Sequence, residues 1–423
     1  MLDTPLRVLL VLPMYGGSLP IGRYCATALE SLGMQVRVFE APIFHSTFTQ
    51  LRTLDLAPEH ITSLEHSFLN VVSQAIFNHV QDFEPHLVLA MAQAPLPKNI
   101  LSRLKRLGIR TVMWFVEDYT VFSYWRSYAP LYDAFAIIQK EPFIEELKSI
   151  NQPNVLYLPL AALPSFHKRV PLTPKEQRYY GASIGFLGAG YPNRRLAFRP
   201  LAGKDFKIWG TEWEEEPLLA NNIQEGGKRI NSEESLKIYS ATTINLNLHS
   251  SLRRDTLVSH GDFVNPRTFE LASIGAFQLV DKRTLLPELF DDQCIATFST
   301  MEECYQKIDY YLHHKEEREA FCAKAQARVL KEHTYQKRME TLIQWIDAHL
   351  GWPRFANDIA PKTQLDATLQ QALDQLLAKL GASPNASFSD VIGRLRKQSG
   401  ALDPLEASLL FLDEWQKQYG TKR

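Results

Sequence analysis

The chain has 423 residues, enough for two or three domains with ample core. Apolar residues make up 45% and charged residues 22%, and the formal charge is −1, so nothing global favours nucleic acid or an anionic membrane as a partner. The four cysteines, Cys25, Cys294, Cys304 and Cys322, lack CxxC or Cys/His spacing. That argues against a disulfide framework or a zinc site and fits a reducing cytoplasm. No apolar run reaches membrane-spanning length.

"RVLLVLP" (Arg7–Pro13) has the apolar run of a buried first strand rather than of a leader peptide. The loop "MYGGSLP" and the amphipathic "IGRYCATALESLG" follow, then a second strand, "QVRVFEA" (Gln35–Ala41). This βαβ unit places the loop at the carboxyl edge of a parallel sheet. Residues Thr47–Phe83 read mainly as helix. "HLVLAMA" (His86–Ala92), "RTVMWFVED", "AFAIIQ" and "NVLYLPLAA" are further strands, and "PKNILSRLKRLG" is a helix between the first two. Strands alternating with helices predict a doubly wound α/β domain over 1–165.

The polar, Pro-containing "LPSFHKRVPLTPKEQR" predicts a linker. A second α/β series follows over 178–335, with strands at "ASIGFLGAG", "FKIWG", "TINLNLH", "AFQLV" and "CIATFST". Residues 336–423 read as a helical appendage, its first helix packing back on the core. Leu365, Leu369, Leu373, Leu376, Leu377 and Leu380 form an apolar stripe there that needs a partner.

The most informative stretch is "HGDFVNPRTFELASIGAFQLVD" (His260–Asp281). Asn265 suits an N-cap, Pro266 the first helical position and Gly275 a C′ stop. A helix N-terminus attracts anions, so the cation Arg267 in its first turn opposes the dipole unless an anion binds there. Glu270, one turn on, shares that face. A capped core helix with a surface Arg–Glu pair accounts for the same residues.

Three landmarks together resemble the CgeB-like (spore maturation protein CgeB) family of GT-B glycosyltransferases. They are "IGFLGAGYPNRR" (Ile184–Arg195), "NPRTFELASIGAFQLVD" and "HTYQKR" (His333–Arg338), in the family's order and spacing. The first half is similar to that family's N-terminal domain mainly through "WFVED". The resemblance implies two Rossmann-like domains. It also implies a cytoplasmic, metal-independent enzyme that moves a sugar from a nucleotide diphosphate donor, UDP-sugar by default, without a further cofactor. It implies an acceptor that is a protein, flagellin included, or a cell-surface glycan precursor. A non-catalytic nucleotide-sugar or protein-binding scaffold of the same fold is the alternative.

Many such transferases carry Glu-x7-Glu, the first acid by the donor sugar and the second on the ribose. Glu270 matches the second, and Asp262 stands where the first would be Glu. The resemblance leans towards retention of anomeric configuration. It places Arg194 and Arg267 on the diphosphate, with Arg195 equally a solvated residue. Gly188 and Gly190, and Gly16 and Gly17 across the cleft, would give backbone close approach to phosphate. The exposed amides after Asn265 would join them. Trp209 and Gly210 lie where the family places its nucleobase, although core packing also explains Trp209. His249, at a strand end, would bond a phosphate or sugar hydroxyl unless it is structural. Glu117 and Asp118 end a buried strand at the carboxyl edge. Either could deprotonate an acceptor hydroxyl or cap the next turn, and Asp118 is the first choice for the base. No His/Asp/Glu set has metal spacing.

Overall fold

The structure, a computed structural model, describes residues 5–252, 256–259, 261–353, 366–382, 386, 388–398 and 400–419. It has two parallel sheets. The first contains β1 (Arg7–Val11), β2 (Gln35–Phe39), β3 (Leu87–Met91), β4 (Arg110–Phe115), β5 (Ala134–Ile137) and β6 (Val155–Tyr157), in the order β2-β1-β3-β4-β5-β6. The second contains β7 (Ala182–Leu187), β8 (Phe206–Trp209), β9 (Thr242–Asn247), β10 (Gln278–Asp281) and β11 (Ala296–Phe298), in the order β11-β10-β9-β7-β8. Every expected strand is present. Their near-continuous apolar runs suit strands covered on both faces by crossover helices. All five residues of β3, for example, are buried.

Strand order reverses between β1 and β3 in the first sheet and between β7 and β9 in the second. Such reversals open a crevice at the carboxyl ends of the strands. The loops at the two crevices carry Gly16 and Gly17 after β1, and Gly188 and Gly190 after β7.

The two halves share a core. One continuous apolar cluster runs from Val8, Leu10 and Cys25 through Trp114 and Leu160 to Phe269, Val280, Tyr335 and Ile346. The chain returns to the first half through the helix Tyr335–His349, which lies against the helix Ser18–Ser31 with Tyr24 and Tyr335 rings 5.5 Å apart. A parallel bridge pins this return: Ala162 N donates to His333 O at 3.0 Å, and Tyr335 N donates to Ala162 O at 2.8 Å. Arg338 is buried beside it, donating to the carbonyls of Pro159, Leu160 and Glu332. "HTYQKR" is thus the seam that closes the chain on itself.

The last three described helices, Ala367–Lys379, Phe388–Leu395 and Pro404–Tyr419, build their own small core. Leu376, Leu377, Leu380, Val391 and Leu395 are buried there, with Leu373, Leu405 and Leu409 against them. The apolar stripe therefore finds partners inside the appendage; Leu365 lies outside the described residues. Leu369 is 40% exposed and Phe411 68%. Because this core is self-contained, cutting the chain after Pro353 should leave the two-sheet body as stable as before. Urea unfolding of the truncated protein should agree with the full chain to within about 0.5 kcal/mol, the scale of changes away from a core. A loss of several kcal/mol would show that the appendage buries surface of the sheets.

Candidate functional site

The helix Pro266–Ile274 is set with its N-terminus at the carboxyl edge of the second sheet. Asn265 caps it, its side-chain oxygen accepting from Thr268 N at 3.1 Å, and Gly275 ends it at φ +70°. Buried polar groups then fix its start. His249 Nε2 accepts from Asn265 N at 3.0 Å, so the ring proton sits on Nδ1 and is donated to Asp281 at 2.7 Å. Burial holds this imidazole below its ordinary pKa, which agrees with a neutral ring. Asn247 Oδ1 accepts from Asn265 Nδ2 at 2.7 Å, and Asn247 Nδ2 donates to Thr268 Oγ1 at 2.9 Å.

This network aims Arg267. Its Nη1 lies 3.4 Å from Asn247 Oδ1, and its guanidinium sits 5.0 Å from the Phe186 ring centroid. Arg267 Nε is buried and has no partner among the described residues. Arg194 lies 5.1 Å from the same ring. Burial, reinforced by the charge of Arg267, lowers the Arg194 pKa to about 9. Two guanidinium groups close enough to oppose each other, one with an unused buried donor, form a site that an anion would stabilise.

The glycines make room for this. A Cβ on Gly188, which has φ +156°, would lie 2.8 Å from Arg267 Nη2. One on Gly210, at φ +117°, would lie 2.5 Å from Gly188 O. The loops after β7 and β8 therefore touch backbone to backbone under the arginine.

Glu270 stands one turn below Arg267. Burial raises its carboxyl to about 7 against the opposing pull of Arg267, and the 18% of the side chain still exposed limits that rise. His167 Nε2 is 3.8 Å away, but burial pushes that imidazole down to about 4. It is neutral at pH 7, so the contact is no ion pair. Across the cleft stands Tyr24, which burial and the charge of Glu270 push up to about 12. Beside it opens a cleft of about 640 Å³ lined from the first half by Tyr15, Gly16 and Tyr24 and from the second by Arg229, Ile230 and Ser232. Arg229 Nη2 reaches Gly16 O at 3.4 Å.

Asp118 and Asp262, 144 residues apart in sequence, meet at one amide. Gln139 Nε2 donates to Asp262 Oδ1 at 2.8 Å and lies 3.4 Å from Asp118 Oδ1. Lys140 N donates to the other Asp262 oxygen at 3.0 Å. Asp118 Oδ1 also accepts from Thr120 N and Thr120 Oγ1, closing a local turn.

Four expected ligands have other work here. His249 has both ring nitrogens engaged, so it orients the helix rather than reaching a phosphate. Arg194 donates to Leu248 O and Ala189 O, holding the glycine loop and adding charge at a distance. Trp209 is fully buried against the rings of Tyr179 and Tyr180, as a core residue. Asp262 spends both oxygens on the first half of the chain. Gly16, Gly17, Gly188, Gly190, Gly210, Asn265, Arg267 and Glu270 all lie at the cleft loops or the helix that edges them.

Sequence reasoning missed Gln139, Arg229, Asn247 and Asp281. Asn247 and Asp281 had a signal, since each is a polar residue closing an otherwise apolar strand run. A second groove of about 600 Å³ opens at the amino ends of β9 and β10, but its Arg169 and Arg318 face the helix-terminal carbonyls of Ser240 and Tyr311. Among the described residues no group of three or more His, Cys, Asp or Glu could hold a metal ion, and no helix is long and apolar enough to cross a membrane.

A protein-family model described as "Glycosyl transferase-like" matches residues 194–344. Spore protein CgeB of Bacillus subtilis (strain 168) is 24% identical over 254 residues, covering 58% of this chain and 77% of that protein. The resemblance drawn from the three motifs is therefore found again by direct comparison. Among solved structures, a glycosyltransferase from Rickettsia africae ESF-5 is 13% identical with a TM-score of 0.55, covering 82% of this chain and 98% of that one. Anabaena HepE, solved in complex with UDP and glucose, is 11% identical with a TM-score of 0.56, covering 82% and 100%. Sucrose-phosphate synthase from Thermosynechococcus elongatus is 10% identical with a TM-score of 0.56, covering 82% and 99%. The chain shares the GT-B fold with them.

The raised carboxyl of Glu270 gives a test of its surroundings. A carboxyl with a folded pKa near 7 and an unfolded one near 4.5 binds more protons when folded between those values, so it costs stability as pH rises through that window. Glu270→Gln removes the titration. The variant should gain stability relative to wild type at pH 8 and lose that advantage at pH 4, read from urea midpoints. An equal difference at both pH values would show that the carboxylate is well solvated.

Proposed function

We propose that the chain is a glycosyltransferase that takes its sugar from a nucleotide diphosphate donor, UDP-sugar by preference. The observation that carries the reading is Arg267 at a capped helix N-terminus, its buried Nε without a partner among the described residues, with Glu270 one turn behind it. The glycosyltransferase-like match over this region and the UDP and glucose bound to HepE support it.

The residues divide the donor between them. Arg267 and the amides after Asn265 take the diphosphate, and Arg194 adds positive charge behind the glycine loop. As the bond from sugar to diphosphate breaks, negative charge grows on the leaving group, and fixed cations and amides stabilise it there. These groups supply that charge without calling on a metal ion. Glu270 accepts from the ribose hydroxyls. The cleft between Gly16 and Ile230 receives the nucleoside. An acceptor that is a protein such as flagellin, or a surface glycan precursor, is supported only by the resemblance to CgeB-like proteins.

Calorimetric titration with UDP tests the reading. Arg267→Ala should weaken UDP by about 1.5–3 kcal/mol, the scale of one lost charged hydrogen bond. Glu270→Gln should weaken it too, because the ribose is common to UDP and donor. Folded variants that bind UDP as wild type does would return the helix to a purely structural role. Tight binding of UDP-sugars with no UDP release from any donor and acceptor would favour a binding scaffold.

A further inference from the structure

The loops after β3 and β4 hold a carboxylate that the donor site does not use. Glu117 is half-buried at the carboxyl edge of the first sheet, next in sequence to Asp118, whose Gln139 partner reaches the second half of the chain. Two neutral donors address it. Gln93 Nε2 donates to Oε1, and Tyr124 OH donates to Oε2 at 2.8 Å. The ring closes through Gln93 N, which donates to Tyr124 Oη at 3.0 Å. Gln93 is held at φ +64°, a left-handed backbone uncommon for a residue with a side chain. Such strain persists where the surroundings over-determine it, and it gathers at working sites. No cation pairs with Glu117 among the described residues. Its one titratable hydrogen-bond partner is Tyr124, and burial raises the carboxyl above its ordinary value. Asp118 holds the Thr120 turn through Oδ1.

We propose that Glu117 is the general base for the acceptor, held in place by Gln93 and Tyr124. The inference rests on the glycosyl-transfer reading above. The acceptor oxygen bonds to the anomeric carbon while the bond from that carbon to the diphosphate oxygen breaks. The bonding pair leaves with the diphosphate, and the acceptor proton passes to the Glu117 carboxylate. In front-face retention the leaving diphosphate can take that proton. A separate carboxylate serves displacement from the opposite face, so the product anomer is inverted, against the retention that the Glu-x7-Glu resemblance implies; Asp262, at the place of the first Glu, is spent on Gln139 and Lys140.

The test uses the full chain and a panel of UDP-sugars, with water, simple sugars and sodium azide as nucleophiles. Azide is already an anion and needs no base. Glu117→Gln should bind UDP like wild type and release it about a hundredfold more slowly with hydroxyl nucleophiles, the scale of lost base catalysis. Azide should restore release, giving an inverted glycosyl azide by proton NMR. Near-normal turnover in Glu117→Gln, no rescue by azide, or a retained product would each overturn the proposal. If Glu117→Gln does not fold, Tyr124→Phe decides. Losing that hydrogen bond raises the carboxyl pKa further, so the acid limb of the rate profile should move to higher pH, and an unmoved limb overturns the proposal. A wild-type chain that neither binds UDP nor releases it from any donor would instead defeat the glycosyl-transfer reading itself.

Discussion

The buried contact between His249 and Asp281 organises the second half of the chain. Asp281 accepts from both the backbone and the ring of His249, and the opposite ring nitrogen then accepts the amide of Asn265. One imidazole thereby ties the ends of β9 and β10 to the start of the helix between them. Removing either partner would strand a polar group in a dry interior, which costs more than the bond itself contributes. The placement of Arg267 depends on that helix start, and the placement of Gly188 depends on Arg267.

Charge in the cleft follows from this rigidity. A helix N-terminus already carries partial positive charge, and two guanidinium groups lie beside it with no carboxylate bonded to either among the described residues. Such an arrangement is electrostatically unfavourable, as the opposition between Arg194 and Arg267 shows. Phe186 relieves some of it, presenting its ring to both arginines. Glu270 is close enough to feel Arg267 but is too buried to ionise fully near pH 7. In the proposed function the donor diphosphate offsets this positive charge.

The two halves are joined by polar contacts as well as by a shared core. Gln139 and Lys140, after β5, grip Asp262 from the far side of the cleft. A residue aligned with a sugar-binding glutamate is here a link between domains. One methylene less keeps the carboxylate near its own backbone, where the loop after β5 can reach it. The departure from Glu-x7-Glu and the contact with Gln139 belong together.

The segment read as a linker ends in the helix Pro174–Tyr180, but the eleven strands and the capped helix were legible in the residues alone. Those depend on local pattern: apolar runs between breakers, Asn-Pro at a helix start and glycine at its end. The three motifs were enough to name the family resembled, because their order and spacing are linear facts. Which polar residues work together was decided only by the tertiary structure. His249 looked like a ligand because it ends a strand at the cleft, yet Asp281, thirty-two positions away, uses one of its nitrogens. Arg194 looked like a diphosphate ligand, yet its guanidinium donates to the carbonyls of Ala189 and Leu248. Of the adjacent acids Glu117 and Asp118, the sequence reading put Asp118 first. Gln93, at its left-handed position, and Tyr124 separate them by bonding one and leaving the other to its turn. Hydrogen bonds between distant segments depend on where strands are ordered in a sheet, and strand order is not written in any local stretch of residues.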